Sequence, residues 1–180
     1  RPPATDSETT KRALVDAARM LFARQGFDGT SLSAVANQAG VTPTAVYHYF
    51  ADKHRLYEAV VHETLETVWK GLLESVTNES EVGDQVEAFL TAADRFGSDR
   101  RLFSAFLISV PVEAKRHDEF APLLAELSNW QAKVFDTIAA TGRSGGKLAA
   151  FDSQKDASDA IRLVLLGWSY ETHYQPLLRS

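Results

Sequence analysis

The sequence predicts an all-α protein. Three observations lead there: apolar residues recur at three- and four-residue spacings along nearly the whole chain, no convincing run alternates apolar with polar residues, and Gly, Pro and small capping residues fall where those periodic segments begin and end. With 180 residues and 44% of them hydrophobic, the chain has ample material for a core.

The first helix is expected from about Thr9 to Gln25, with Leu14, Ala17, Ala18, Leu21 and Phe22 on one face and Gly26 as its C′ residue. A second carries Leu32, Val35, Ala36 and Ala39; Ser31 or Ser33 can cap it, and Gly40 ends it. Thr42 then caps a third helix of about two turns with Pro43 in its first turn. At about 100° per residue, Pro43, Val46 and Phe50 fall on one side, while Thr44, Tyr47 and His48 share the other. The first side packs and the second is presented. By itself the pair joined by "GVT" fits an αα-corner as well as a helix-turn-helix unit.

Asp52 caps the next helix, whose apolar stripe changes direction: Leu56, Ala59 and Val60 lie on one side, and Leu65, Val68, Trp69, Leu72, Leu73 and Val76 are centred well away from it. One helix thus serves two cores. After the polar loop "TNESEVGD", Val86, Phe89, Leu90 and Ala93 mark a helix ending near Gly97. Leu102, Phe103, Phe106, Leu107 and Val110 mark another, in which Pro111 is expected to break or kink the chain and leave "VPVEA" irregular. Leu123 to Ile138 forms a long stripe closed by "TGRSGG", and a last helix from about Ser153 to His173 contains "IRLVLLGW", apolar nearly all round. Such a helix needs more cover than one neighbour provides, which points to an oligomer interface.

Composition narrows the function classes. There is no cysteine, so disulfides, thiolate metal sites and thiol redox chemistry are excluded. No apolar run approaches the roughly 18 residues that span a bilayer, and no basic segment followed by an apolar one opens the chain at Arg1, so a cytoplasmic protein is expected. Net charge is −5, unevenly spread: residues 1–65 hold seven Lys or Arg and seven Asp or Glu, the rest twelve and seventeen. A neutral N-terminal module on an acidic body suits a chain in which only the former approaches a polyanion.

The stretch "FARQGFDGTSLSAVANQAGVTPTAVYHYFADKHRLYEAVV" resembles the DNA-binding head of TetR-type transcriptional regulators, with Gly26, Phe27, Thr30, Ala36, Gly40, Val41, Tyr47, Phe50, Lys53 and Leu56 in the family's spacing. The resemblance covers about residues 9–62; beyond it only the helical layout is similar. It implies a three-helix DNA-binding head (residues 1–53) and a larger helical ligand-binding and dimerisation body (54–180). It also implies a homodimer on a near-palindromic double-stranded DNA operator, released by a small, mostly apolar effector. The third helix would enter the major groove, with Pro43, Thr44 and His48 near base edges, Thr42 and Tyr47 near phosphates, Ser31 and Ser33 adding hydroxyl contacts, and Lys53 as a phosphate clamp. Thr44 stands where many relatives have glycine and Pro43 where many have a long donor, so the base-reading surface is poor in long donors.

In the body, Trp69, Leu72, Phe89, Phe103, Phe106, Trp130 and Trp168 are the candidates to line an effector cavity, and Leu127, Val134, Ile161, Leu165 and Trp168 the candidates for a dimer interface. No cofactor, metal or catalytic residue is assigned. His62 with Glu66, and "HDE" at 117–119, have ligand-type residues without an HExxH pattern or a nucleophile elbow, and solvated helix faces account for them. The different-class alternative is a small-molecule-binding protein or enzyme with its chemistry in the acidic body.

Overall fold

The computed structural model describes residues 4–99 and 101–174, and every regular element among them is helical. Eight α-helices follow in order: α1 (Ala4–Gln25), α2 (Leu32–Gln38), α3 (Pro43–Tyr47), α4 (Lys53–Thr77), α5 (Val82–Asp99), α6 (Arg101–Arg116), α7 (Ala121–Ser144) and α8 (Gln154–Ser169). A 3₁₀ turn over Asp118–Phe120 joins α6 to α7, and a π turn over Tyr170–Tyr174 follows α8. None of the described helices is long and apolar enough to cross a membrane.

Two expectations are corrected. The first helix begins at Ala4 rather than near Thr9. Pro111 does not end a helix: α6 runs through it to Arg116. Proline removes one amide donor, but Phe106, Val110 and Ala114 are buried on one face at four-residue spacing, and that burial outweighs the single lost bond. The Pro111 ring itself is exposed.

The chain folds as two compact units. Unit 1 joins residues 1–64 to Ala105–Leu124, and unit 2 joins Leu65–Ser104 to the chain from Ala125 onward. Helix α4 therefore gives residues 53–64 to one core and 65–77 to the other, along a continuous buried stripe of Leu56, Tyr57, Val60, Val61, Leu65, Val68, Trp69, Leu72 and Val76.

In unit 1, Leu14, Ala18 and Phe22 of α1 are buried with Val35 and Ala36 of α2, Val46 of α3 and Leu56, Tyr57, Val60 and Val61 of α4. An aromatic cluster fills the remainder: Phe22 meets Tyr57 edge-on at 5.0 Å, Tyr57 lies 4.5 Å from Phe120, and Phe120 meets Phe27 at 4.9 Å. Each such ring contributes roughly 2 to 3 kcal/mol by burial alone. A cation sits inside this core. Arg19, 2% exposed, bonds Asp16 at 2.6 Å, pairs with Glu63 and donates from Nε to the Thr64 hydroxyl at 2.9 Å, fixing α1 to α4.

In unit 2, Phe135 of α7 is the hub, 6.1 Å from Trp69 of α4 and 5.6 Å from Phe89 of α5. Val134, Ile138 and Ala139 of α7, and Ala157 and Leu165 of α8, are buried in the same unit.

Candidate nucleic-acid interface

Three local devices shape the head surface. Ser31 caps α2 by accepting from the Ala34 amide at 3.1 Å. The turn that follows needs Gly40, whose φ of +71° favours a residue without a Cβ, and it closes through Val41 N–H to the Ala36 carbonyl at 3.0 Å. Thr42 then caps α3 through the Ala45 amide at 3.3 Å, with Pro43 in the first turn where a missing donor costs nothing.

These devices sort the side chains of α3 into two sets. Val46 and Phe50 turn inward, 0% and 5% exposed, whereas Thr42, Pro43, Thr44, Tyr47 and His48 are exposed, Tyr47 by 60%. Ser31, the cap of α2, and Ser33 in its first turn are exposed as well. Seven of the eight sequence-derived contact candidates are thus exposed, on α2, α3 and their flanks.

Lys53 differs from the rest. Its ammonium donates to the Phe27 carbonyl at 2.9 Å and lies 4.2 Å from the centre of the Phe27 ring, so it is turned into the head rather than out of it. The cap of α4 is Asp52, accepting from the Arg55 amide at 2.8 Å.

Behind Phe27 lies a group of residues that the helical periodicity did not single out. Glu113 of α6, 4% exposed, accepts from the Phe27 amide at 3.2 Å. His117 Nε2 lies 3.3 Å from Asp28 and 3.8 Å from Glu113, and His54 bonds Glu119 at 3.0 Å. Of the "HDE" segment, His117 thus meets the loop after α1 and Glu119 meets α4. Burial, and then the negative charge of Glu113, push the Tyr57 phenol above its ordinary value. Glu119 is held below the usual carboxylate value, chiefly by its own backbone amide and further by His54. A sequence signal for Glu113 did exist, since an acid seven residues after Phe106 and three after Val110 interrupts the buried stripe of α6.

The body candidates are dispersed. Trp69, Leu72 and Phe89 are packed in the core of unit 2, Phe103 and Trp168 are partly buried there, and Trp130 is partly exposed with the Lys133 ammonium 4.5 Å from its ring. Phe106 is not among them: it belongs to unit 1, 5.6 Å from Tyr57 and 6.4 Å from Phe22. An open cleft of about 670 Å³ between α4 and α5 is lined by Glu74, Glu79, Asp84, Glu87 and Arg95 rather than by those rings. Of the interface candidates, Val134 and Leu165 are buried within the single chain, Leu127, Ile161 and Trp168 are partly so, and the widely exposed apolar residues of α8 are instead Leu163 and Val164, at 72% and 69%.

Comparison with known proteins agrees with this geometry. Residues 14–60 match the family described as bacterial regulatory proteins, tetR family. The HTH-type transcriptional regulator UidR of Escherichia coli K12 is 23% identical over 161 residues, 89% of this chain and 79% of that protein. The regulator RutR of the same strain is 27% identical over 172 residues, 91% of this chain and 73% of that one. Among solved structures, a putative transcriptional regulator from Pseudomonas aeruginosa PAO1 superposes with a TM-score of 0.79 at 17% identity, covering 94% of this chain and 82% of its own. The fatty acid degradation regulator FadR from Bacillus halodurans superposes with a TM-score of 0.72 at 17% identity, covering 94% and 84%. The matched head and the length of chain shared with two curated regulators lead to one statement: residues 14–60 match the DNA-binding segment of the tetR family, and along most of its length the chain is similar to helix-turn-helix transcriptional regulators.

Proposed function

We propose that the protein is a ligand-responsive repressor that binds a near-palindromic operator as a homodimer in the cytoplasm and is released by a small, mostly apolar effector. The observation that carries this reading is the exposed set Thr44, Tyr47 and His48 on a helix whose other side is locked inward by Val46 and Phe50. Thr44, His48 and Pro43 read base edges, while Ser31, Ser33, Thr42 and Tyr47 contact phosphates. Lys53 serves as a phosphate clamp only by leaving the Phe27 carbonyl, which makes it a weaker anchor than its position suggests. Two copies pair through α7 and α8, where Leu163 and Val164 supply an apolar surface that needs cover. Because α4 belongs to both cores, an effector among the rings of unit 2 displaces it and alters the spacing of the two recognition helices. Half-sites about 34 Å apart tolerate little misfit.

The test is selection of duplexes from a random-sequence pool, followed by anisotropy titrations. The wild type selects a near-palindromic site. Tyr47→Phe weakens binding to all duplexes alike, whereas Thr44→Ala and His48→Ala change the preference among sites. A protein that shows no preference over random DNA at physiological salt overturns the reading.

A further inference from the structure

Residue 27 is gripped at both ends of its peptide by side chains of opposite charge. Its N–H donates to Glu113 Oε1 at 3.2 Å and its carbonyl accepts from Lys53 Nζ at 2.9 Å. Its ring is enclosed by Tyr57 at 5.3 Å, His54 at 4.9 Å, His117 at 5.0 Å and Phe120 at 4.9 Å. The backbone before it is equally constrained. Gly26 has φ of +70°, which favours a residue without a Cβ, and Glu113 Oε1 comes to 2.7 Å from where a Cβ would stand.

The loop transmits this grip forward. Thr30, 2% exposed, donates from its hydroxyl to the Gly26 carbonyl at 2.9 Å and from its amide to the Phe27 carbonyl at 3.2 Å. Ser31, the cap of α2, comes next. The bonds thus run from Glu113 through Phe27 to Thr30, the residue before the cap of α2.

Among the described residues Glu113 is the one buried carboxylate, and its burial asks for an explanation. An apolar side chain would fill the same face of α6 beside Phe106, Val110 and Ala114 without the desolvation cost of an ion. What an apolar side chain lacks is direction: a carboxylate accepting one amide fixes position to a fraction of an ångström. The charged groups facing it are modest in reach, with His117 Nε2 at 3.8 Å and Arg116 Nη1 at 3.9 Å, so the Phe27 amide is its short polar contact.

We propose that Glu113 is the positioning residue of the head: by accepting the Phe27 amide it registers α6 against the α1–α2 loop and thereby sets the pose in which α2 and α3 meet operator DNA. The assignment rests on the chain being a DNA-binding regulator. It makes specific binding depend on a residue that is not on the exposed DNA-facing surface, while sequence-independent binding, which rests on charge at the surface, does not depend on it.

Glu113→Gln and Glu113→Leu separate these effects. Each variant is titrated against the duplex that the wild type selects from a random pool and against a random duplex of equal length. Glutamine keeps an acceptor oxygen and binds the selected duplex within about threefold of wild type. Leucine leaves a buried N–H without an acceptor and binds it roughly tenfold more weakly, with random-duplex binding unchanged within about twofold. Amide exchange at Phe27, read by NMR, is slow in wild type and Glu113→Gln; it remains decisive where Glu113→Leu fails to fold. A fast Phe27 amide in the wild type overturns the proposal. So does a leucine variant that binds the selected duplex like wild type or that loses both duplexes equally, and so does a glutamine variant as weak as the leucine one. A wild type that selects no duplex defeats the regulator reading instead, and the Phe27 exchange rate then still decides whether Glu113 holds the loop.

Discussion

The buried guanidinium of Arg19 permits an asymmetric prediction. Arg19 is almost wholly buried, but its carboxylate partners are not: the side chains of Asp16 and Glu63 are 56% and 41% exposed. Arg19→Met removes the buried charge and retains most of the packing volume. The two acids left behind reach water, and the Thr64 hydroxyl, which loses a donor, still donates to the Val60 carbonyl at 2.6 Å. Losing the hydrogen bond to Thr64 and the screened ion pairs to Asp16 and Glu63 costs about 1 to 2 kcal/mol. The double change Asp16→Asn with Glu63→Gln does the opposite, keeping a cation at 2% exposure and removing the charges of Asp16 and Glu63. Breaking a buried pair in this way costs about 3 to 5 kcal/mol, reduced toward 3 because the new amides still accept hydrogen bonds. Urea unfolding at neutral pH measures both, and the double variant should have the lower midpoint at unchanged slope. If Arg19→Met is the more destabilised of the two, the charge is not what sets the energetics of this site.

Two further outcomes are expected. Leu163→Glu combined with Val164→Glu should yield folded monomers in sedimentation, whereas Leu165→Glu, placing a charge at a position 4% exposed, should lose about 3 kcal/mol or more of stability whatever the oligomeric state; dimers from the double variant would refute the α8 interface. Tyr57 has a folded value raised above its unfolded one, so its contribution to stability is complete below about pH 10 and is lost as pH rises from there. In an alkaline titration followed at the phenolate band, one of the five tyrosines should ionise only as helicity collapses, and Tyr57→Phe should remove that late phase; ionisation of all five with helicity intact would refute it.

The parts of the fold readable from sequence were those written in local spacing. Ser31, Gly40, Thr42 and Asp52 announce their turns and caps because each acts on amides within a few residues. The same periodicity placed Val46 and Phe50 inward and Thr44, Tyr47 and His48 outward, but it also put Pro43 on the packing side, and Pro43 is exposed because it lies in the first turn, at the edge of the head. What remained hidden depended on partners far along the chain. Glu113 bonds an amide 86 residues away, and no local pattern records that pairing. Pro111 misled because its local cost is real, while the burial that offsets it comes from packing against other segments. Leu165 and Leu163 look alike in an all-apolar run, and only the packed core decides which one faces outward. Lys53 was legible as a cation at a helix start but not as the ligand of the Phe27 carbonyl.

The discontinuity of unit 1 bears on how the protein is made. Its first 64 residues leave the ribosome well before Ala105–Leu124 exists, and at roughly 5 to 20 residues per second the delay is about 3 to 12 seconds. Through that interval the nascent head lacks Phe106, Glu113 and Phe120, so the apolar side of Phe22, Phe27 and Tyr57 is uncovered and the loop amide is open to solvent. Nascent chains are then in the state most receptive to chaperones. The same gap limits protein engineering by exchange of modules: a head moved to another regulator by cutting within α4 leaves behind the segment that completes its core, and a working hybrid must carry residues 105–124 along with residues 1–64.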